Sequence, residues 1–182
     1  MQMATHRPNN DLARPTLSKP KRGLPPIANA KASVLILGTL PGDESLLRQQ
    51  YYGHPRNHFW SLIAALAGEP PPESYAARVA LLLKSGFALW DVLASAERDG
   101  SLDSAIRNAK PNDFAAFFRT HPRIDTIAFN GQRAHALFRA HVADDPRIAS
   151  RRFTMLVLPS SSPAYVKPLD DKVRHWRAAL AK

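Results

Sequence analysis

Two hydrophobic rhythms alternate along the chain. Val34, Leu35, Ile36 and Leu37 form a short apolar run closed by Gly38, and comparable runs recur at 87–90 (FALW), 126–129 (TIAF) and 153–158 (FTMLVL). Such runs, bounded by turn signals, predict strands buried on both faces. Between them the apolar residues change to three- and four-residue spacing: Phe59, Leu62, Ile63 and Leu66, then Val79, Leu82 and Leu83, then Ala134, Leu137 and Phe138. Each set shares one face of a helix. Asp113 predicts the N-cap of a helix carrying Phe114, Phe117 and Phe118. Residues 170–181 read as a last helix with Val173, Trp176 and Leu180 facing inward.

Strands alternating with helices predict an α/β fold, a three-layer α/β/α sandwich around a central, mostly parallel β-sheet. Right-handed crossovers align the strand C-termini along one edge, where open α/β sheets bind their ligands. Four polar or backbone-special features follow the predicted strands and so converge there. They are GTLPG at 38–42, Asp91, the Asn130-Gly131 pair and PSSSP at 159–163.

Composition narrows the picture. The chain has 182 residues, no cysteine and a formal net charge of +10. Disulfides, thiolate nucleophiles and cysteine-ligated metals are excluded, and a reducing compartment is expected, taken as a bacterial cytosol. No window approaches the roughly 18 apolar residues of a membrane span, and the polar first residues predict no secretory leader. The charge suits a polyanion. Much of it sits in the first 33 residues, where Arg7, Arg14, Lys19, Lys21, Arg22 and Lys31 face one acid, Asp11. Charge alone therefore leaves nucleic acid and simple solubility as equal readings. Residues 1–30, basic and proline-rich, read as a mostly disordered tail, with Leu24, Pro25, Pro26 and Ile27 docking on the body. Residues 31–182 read as one domain.

Each candidate has two readings. GTLPG sits where a phosphate loop would but lacks its lysine, so a tight turn is favoured. Ser160, Ser161 and Ser162 make either an anion-gripping loop or a capped turn into the last helix. Asn130 either satisfies its own turn or reads a base edge, since an amide both donates and accepts. His54 and His58 are separated by Pro55, and no carboxylate completes a ligand set, so no metal is expected. The segment QYYGHPRNHFW is either a hydrophobic corner in which Asn57 caps a helix, or a ring platform beside a reactive amide.

Taken as ordered blocks, LILGTLPGDESLLRQQYYGHPRNHFW, GFALWDVL, GSLDSAIRNAKPNDFAAFF, IAFNGQRA and LPSSSPAY resemble the uracil-DNA glycosylase superfamily, and within it the hypoxanthine-DNA glycosylase branch. The resemblance runs from about Gly23 to the C-terminus. Mismatch-specific members carry an asparagine where this chain has Leu40, and uracil-specific members a histidine where it has Leu158. Both departures point to the hypoxanthine branch, which relies on the asparagine of its HPxN block, here Asn57.

The resemblance implies a monomeric enzyme that flips a deaminated base out of DNA and hydrolyses its N-glycosidic bond without metal or organic cofactor. Asn57 would orient water and Asn130 would read the base edge. Tyr52, backed by Tyr51 or Phe59, would stack on the base beside Gly38, Thr39, Leu40 and Gly42. N–H groups of that turn and of the adjoining helix start would stabilise the leaving base. Ser160, Ser161, Ser162 and Pro163 would pinch the backbone. Ala164, Tyr165 and Val166 would fill the vacated stack, with Lys167 and Arg56 adding phosphate affinity. The rival readings are a uracil or mismatch-specific glycosylase, a catalytically degenerate nucleic-acid-binding module, and a nucleoside hydrolase. The last lacks the aspartate-rich metal site it would need.

Overall fold

All four apolar runs become strands, and the strands pair in parallel. In the computed structural model, which describes residues 20–181, β2 (Val34–Gly38) lies between β3 (Phe87–Asp91) and β6 (Thr126–Asn130), and β6 pairs with β7 (Thr154–Leu158). The register sets Leu37 beside Trp90 and Phe129, and Gly38 beside Asp91. Leu35, Ile36 and Leu37 are completely buried, as expected of a central strand covered on both faces.

Helices α1 (Asp43–Arg48), α2 (Phe59–Ala67) and α3 (Tyr75–Lys84) connect β2 to β3. Helix α4 (Phe114–Thr120) precedes β6, α5 (Gln132–His141) joins β6 to β7, and α6 (Leu169–Leu180) ends the chain. Right-handed crossovers put the first group and α4–α5 on opposite faces. The ring contacts agree: Phe59 of α2 meets Trp176 of α6 at 6.2 Å, and Phe114 of α4 meets Phe138 of α5 at 5.4 Å. Each of these four rings is at most 1% exposed. At about 1.5–3 kcal/mol apiece they are major contributors to the core. Asp113 caps α4 as its position predicts, accepting from Ala116 N at 3.2 Å. No helix among the described residues is long and apolar enough to cross a membrane.

Three features depart from the sequence pattern. First, β7 is not buried on both faces. It is the sheet edge, with Met155 45% and Val157 38% exposed. An apolar run cannot distinguish an edge strand from a central one. Second, a small antiparallel sheet joins β1 (Lys21–Arg22), β4 (Leu93–Glu97) and β5 (Arg107–Pro111) in the order β1-β4-β5. Its strands are short, polar and half exposed, so they carry neither a buried run nor a clean alternation. Third, Lys21 and Arg22, read as part of the tail, form a strand, while Leu24 and Ile27 dock on the body as expected. Lys21 and Arg22 pair with β4, Leu24 is 7% exposed, and Ile27 bridges Leu89. The earlier tail cations Arg7, Arg14 and Lys19 lie outside the described residues.

Candidate active site

A cavity of about 590 Å³ opens beyond the C-terminal ends of the parallel strands. The sheet order reverses between β2 and β6, so the cavity occupies the topological switch point of the fold. Its lining gathers Gly38, Thr39, Leu40 and Gly42 after β2, and Asp91 at the end of β3. Asn130 closes β6, Ser160, Ser162, Pro163, Ala164 and Tyr165 follow β7, and Tyr52 and Asn57 come from the α1–α2 connection. Residues up to 127 positions apart in sequence thus meet at one place.

Tyr52 is held from three directions. Its ring stacks on Phe59 with centroids 4.0 Å apart and an 18° interplanar angle. Its hydroxyl accepts from Asn130 Nδ2 at 2.8 Å. Its backbone sits at φ 53°, a left-handed conformation that bulky residues rarely adopt, so the surrounding contacts must hold it there. Burial, with Asp91 nearby, pushes its phenol well above the usual tyrosine range, and it stays neutral. Phe59 is fully buried and supports Tyr52 from behind, so it does not face a base. Tyr51 is buried too, its hydroxyl donating to Leu24 O at 3.0 Å.

Asn57 lines the cavity and also helps to cap the helix that follows it. Its Oδ1 accepts from Phe59 N at 3.0 Å, while His58 occupies the N-cap position of α2. The cap bond therefore comes from one residue earlier than a standard N-cap. It orients the amide and leaves a second lone pair on the same oxygen.

Asn130 is more committed than a free base reader. Its two amide protons go to Tyr52 Oη and Ser161 Oγ, each at 2.8 Å, and its Oδ1 accepts from Ser161 N at 2.7 Å. Its role is to lock the tyrosine to the serine loop. Ser161 is fully buried by the same bonds, and its carbonyl accepts from His58 N at 3.0 Å, so it does not reach a DNA backbone. Ser160 and Ser162 remain at the cavity, with their hydroxyls accepting from Ser162 N and Ala164 N at 3.2 Å. Gly131, at φ 103°, lets this loop approach: a Cβ there would lie 3.1 Å from Ser160 Cβ. Tyr165 stands exposed at the rim, and Val166, 92% exposed, and Lys167 are exposed outside the cavity lining.

The GTLPG loop is braced from below by residues that carry no sequence signal. Arg98 is 1% exposed, and its guanidinium donates to Leu40 O at 3.1 Å, to Pro41 O, and to Asp103 Oδ1 at 3.4 Å. Asp103 also accepts from Thr39 Oγ1 at 2.8 Å. Lys172 of α6 is 1% exposed beneath the serine loop, with Nζ 3.5 Å from Ser162 O. Burial pulls its ammonium below the usual lysine range. The expected helix-start contribution does not materialise at α1. That helix has six residues, its first turn carries Asp43 and Glu44, and the N–H of Asp43 already donates to Ser101 Oγ at 3.0 Å. Leu40 is 5% exposed and offers no group to hold water.

Asp91 ends the apolar strand β3 and is 4% exposed on the cavity floor. Its Oδ2 is buried with no hydrogen-bond partner among the described residues. Burial, reinforced by Asp103, pushes its carboxyl up to about 8. Gly38 makes room for it: a side chain at 38 would overlap Asp91 Oδ1 and lie 2.9 Å from Tyr52 Oη.

Comparison with known proteins agrees with this geometry. The profile of the uracil DNA glycosylase superfamily matches residues 25–182. A protein from Methanosarcina acetivorans named hypoxanthine DNA glycosylase is 35% identical over 161 residues, 88% of this chain and 98% of its own. One of the same name from Methanosarcina barkeri is 31% identical over 163 residues, covering 89% and 99%. A solution NMR structure from Methanosarcina acetivorans, described as a candidate uracil DNA glycosylase, superposes with a TM-score of 0.71 at 35% identity, covering 88% of this chain and 96% of that one.

Proposed function

The chain belongs to the uracil DNA glycosylase superfamily, and we propose that it is a base-excision enzyme whose deaminated base is hypoxanthine in DNA. The observation that carries this reading is the juxtaposition of Tyr52 and Asn57 in one cavity, with Leu40 where mismatch-specific members hold water. The names of the two Methanosarcina relatives support the choice of hypoxanthine, since they cover nearly their whole lengths.

The base leaves the duplex to enter the cavity, at a cost of a few kcal/mol that is smallest for a poorly paired base. Stacking on Tyr52 recovers about 1–3 kcal/mol, and its fixed ring loses little freedom in doing so. Cleavage builds positive charge on the sugar and negative charge on the departing base. Asn57 is too weak a base to deprotonate water outright, so it acts by orienting it through the free lone pair of Oδ1. Tyr165 at the rim and the exposed Val166 beside it occupy the gap in the stack, and Ser160 and Ser162 meet the backbone.

A duplex carrying one hypoxanthine or one uracil, assayed by alkaline strand cleavage, tests the reading. Hypoxanthine release that falls at least about a hundredfold in Asn57→Ala is the expected result, the scale of a misplaced nucleophile. Tight binding without release of either base would instead leave a binding module. Release of uracil alone would keep the family and overturn the choice of base.

A further inference from the structure

Asp91 lines the cavity and has no part in the reaction as proposed so far. A buried carboxylate kept for structure is ordinarily hydrogen-bonded or ion-paired, because its desolvation is otherwise uncompensated. Asp91 Oδ2 has neither kind of partner among the described residues. The nearby guanidinium of Arg98 donates through Nη1 and Nη2 to Leu40 O, Pro41 O and Asp103, and its buried Nε makes no hydrogen bond to Asp91. Tyr52 Oη, close by across Gly38, accepts from Asn130, and its own O–H makes no hydrogen bond to Asp91 Oδ2. The carboxyl lines a cavity whose platform is built for a planar ring, with Oδ1 beside Gly38 and Tyr52 and the unpaired Oδ2 shielded from solvent.

We propose that Asp91 is the general acid of the reaction, a neutral carboxyl that donates its proton to the departing base. This assignment rests on the proposed glycosylase activity. As the C1′–N bond breaks, its electron pair stays with the base, and the proton on Asp91 moves to a ring nitrogen or oxygen of that base. The water held by Asn57 bonds to C1′ and releases its surplus proton to solvent, from which Asp91 is recharged after the base departs. A neutral acid suits this task and could not serve as the base that activates water. The surroundings hold it neutral. Burial dominates and Asp103 adds like charge, which together outweigh the opposing pull of Arg98. Tyr51 and Tyr52, themselves raised by burial and by Asp91, contribute no charge. Arg133 of α5 acts on Asp103 and so reaches Asp91 only indirectly.

The test is the single-turnover rate against pH for the wild-type chain and Asp91→Asn, on whichever deaminated base the wild type releases. Asparagine keeps the shape and can donate a hydrogen bond, but it transfers no proton. The wild-type rate should fall about tenfold per pH unit above pH 8, where the acid is lost. Asp91→Asn should be slower by about a hundredfold at neutral pH and should lack that alkaline limb. A variant as fast as wild type overturns the assignment. So does a slow variant that keeps the limb, since the residue would then act only through structure. If the variant does not fold, the wild-type profile decides alone, and a flat alkaline side overturns the assignment. Failure of the wild type to release any deaminated base would remove the glycosylase reading itself, a separate and visible result.

Discussion

The two walls of the cavity are built on opposite plans. On one side Asn130, Ser161 and Tyr52 satisfy one another through bonds of 2.7–2.8 Å, closing a loop between β6, the serine turn and the α1–α2 connection. On the floor, a few ångströms away across Gly38, Asp91 is buried more deeply than Tyr52 or Asn130, with an oxygen left unpaired. A satisfied network buys geometric precision, because no member can move without stranding another. An unsatisfied group costs stability and is tolerated where a ligand supplies the missing partner. The same cavity thus contains a rigid platform and a reactive vacancy in its hydrogen bonding.

The largest expected effect separates the two walls by pH. Asp91 has a folded pKa near 8, above that of the unfolded chain, so the fold favours its neutral form. Its contribution is fully present below about pH 4 and is lost progressively as pH rises through 8. Over that window the loss amounts to about 5 kcal/mol. Asp91→Asn should not show this decline, so urea denaturation at pH 5 and pH 8 should find the variant gaining on wild type as pH rises. Parallel pH dependences in the two proteins would mean that Asp91 is ionised in the fold.

Next comes the satisfied wall. Asn130→Ala removes three hydrogen bonds and strands the buried Ser161, a destabilisation of about 3 kcal/mol by urea denaturation at pH 7. A change under 1 kcal/mol would show that the network is not cooperative. The smallest effect should come from Tyr52→Phe. It keeps the ring stacked on Phe59 and removes one acceptor from Asn130, for about 1 kcal/mol of stability. Because the platform survives, base release should fall much less than in Asn57→Ala. Equal losses in those two variants would place the hydroxyl, rather than the ring, at the centre of Tyr52's role.

Particular residues show how far a linear reading reaches. Gly38, Asp91, Asn130 and the serine loop were legible as one edge, because each directly follows a buried strand and parallel strands end together. Asn57 was legible as a cap and as a catalytic candidate, and the two turn out to be compatible uses of one oxygen. Phe59 backs Tyr52 as expected, whereas Ser161 was misplaced as a contact to DNA, since nothing local says whether a hydroxyl points at the cavity or behind it. Arg98 and Lys172 gave no signal. A buried cation looks like any surface lysine or arginine until the carbonyls it holds, those of Leu40, Pro41 and Ser162, are brought to it from distant parts of the chain.

Period and punctuation along the chain were sufficient to predict the parallel sheet, the helices around it and the edge where chemistry gathers, because side-chain periodicity is local and strands alternating with helices leave few ways to pair. Which atoms at that edge are already satisfied, and which still need a partner, was decided only by tertiary packing. Burial and hydrogen-bond saturation depend on neighbours that the sequence places far away, and in this protein that difference separates a clamp at Asn130 from an open acid at Asp91.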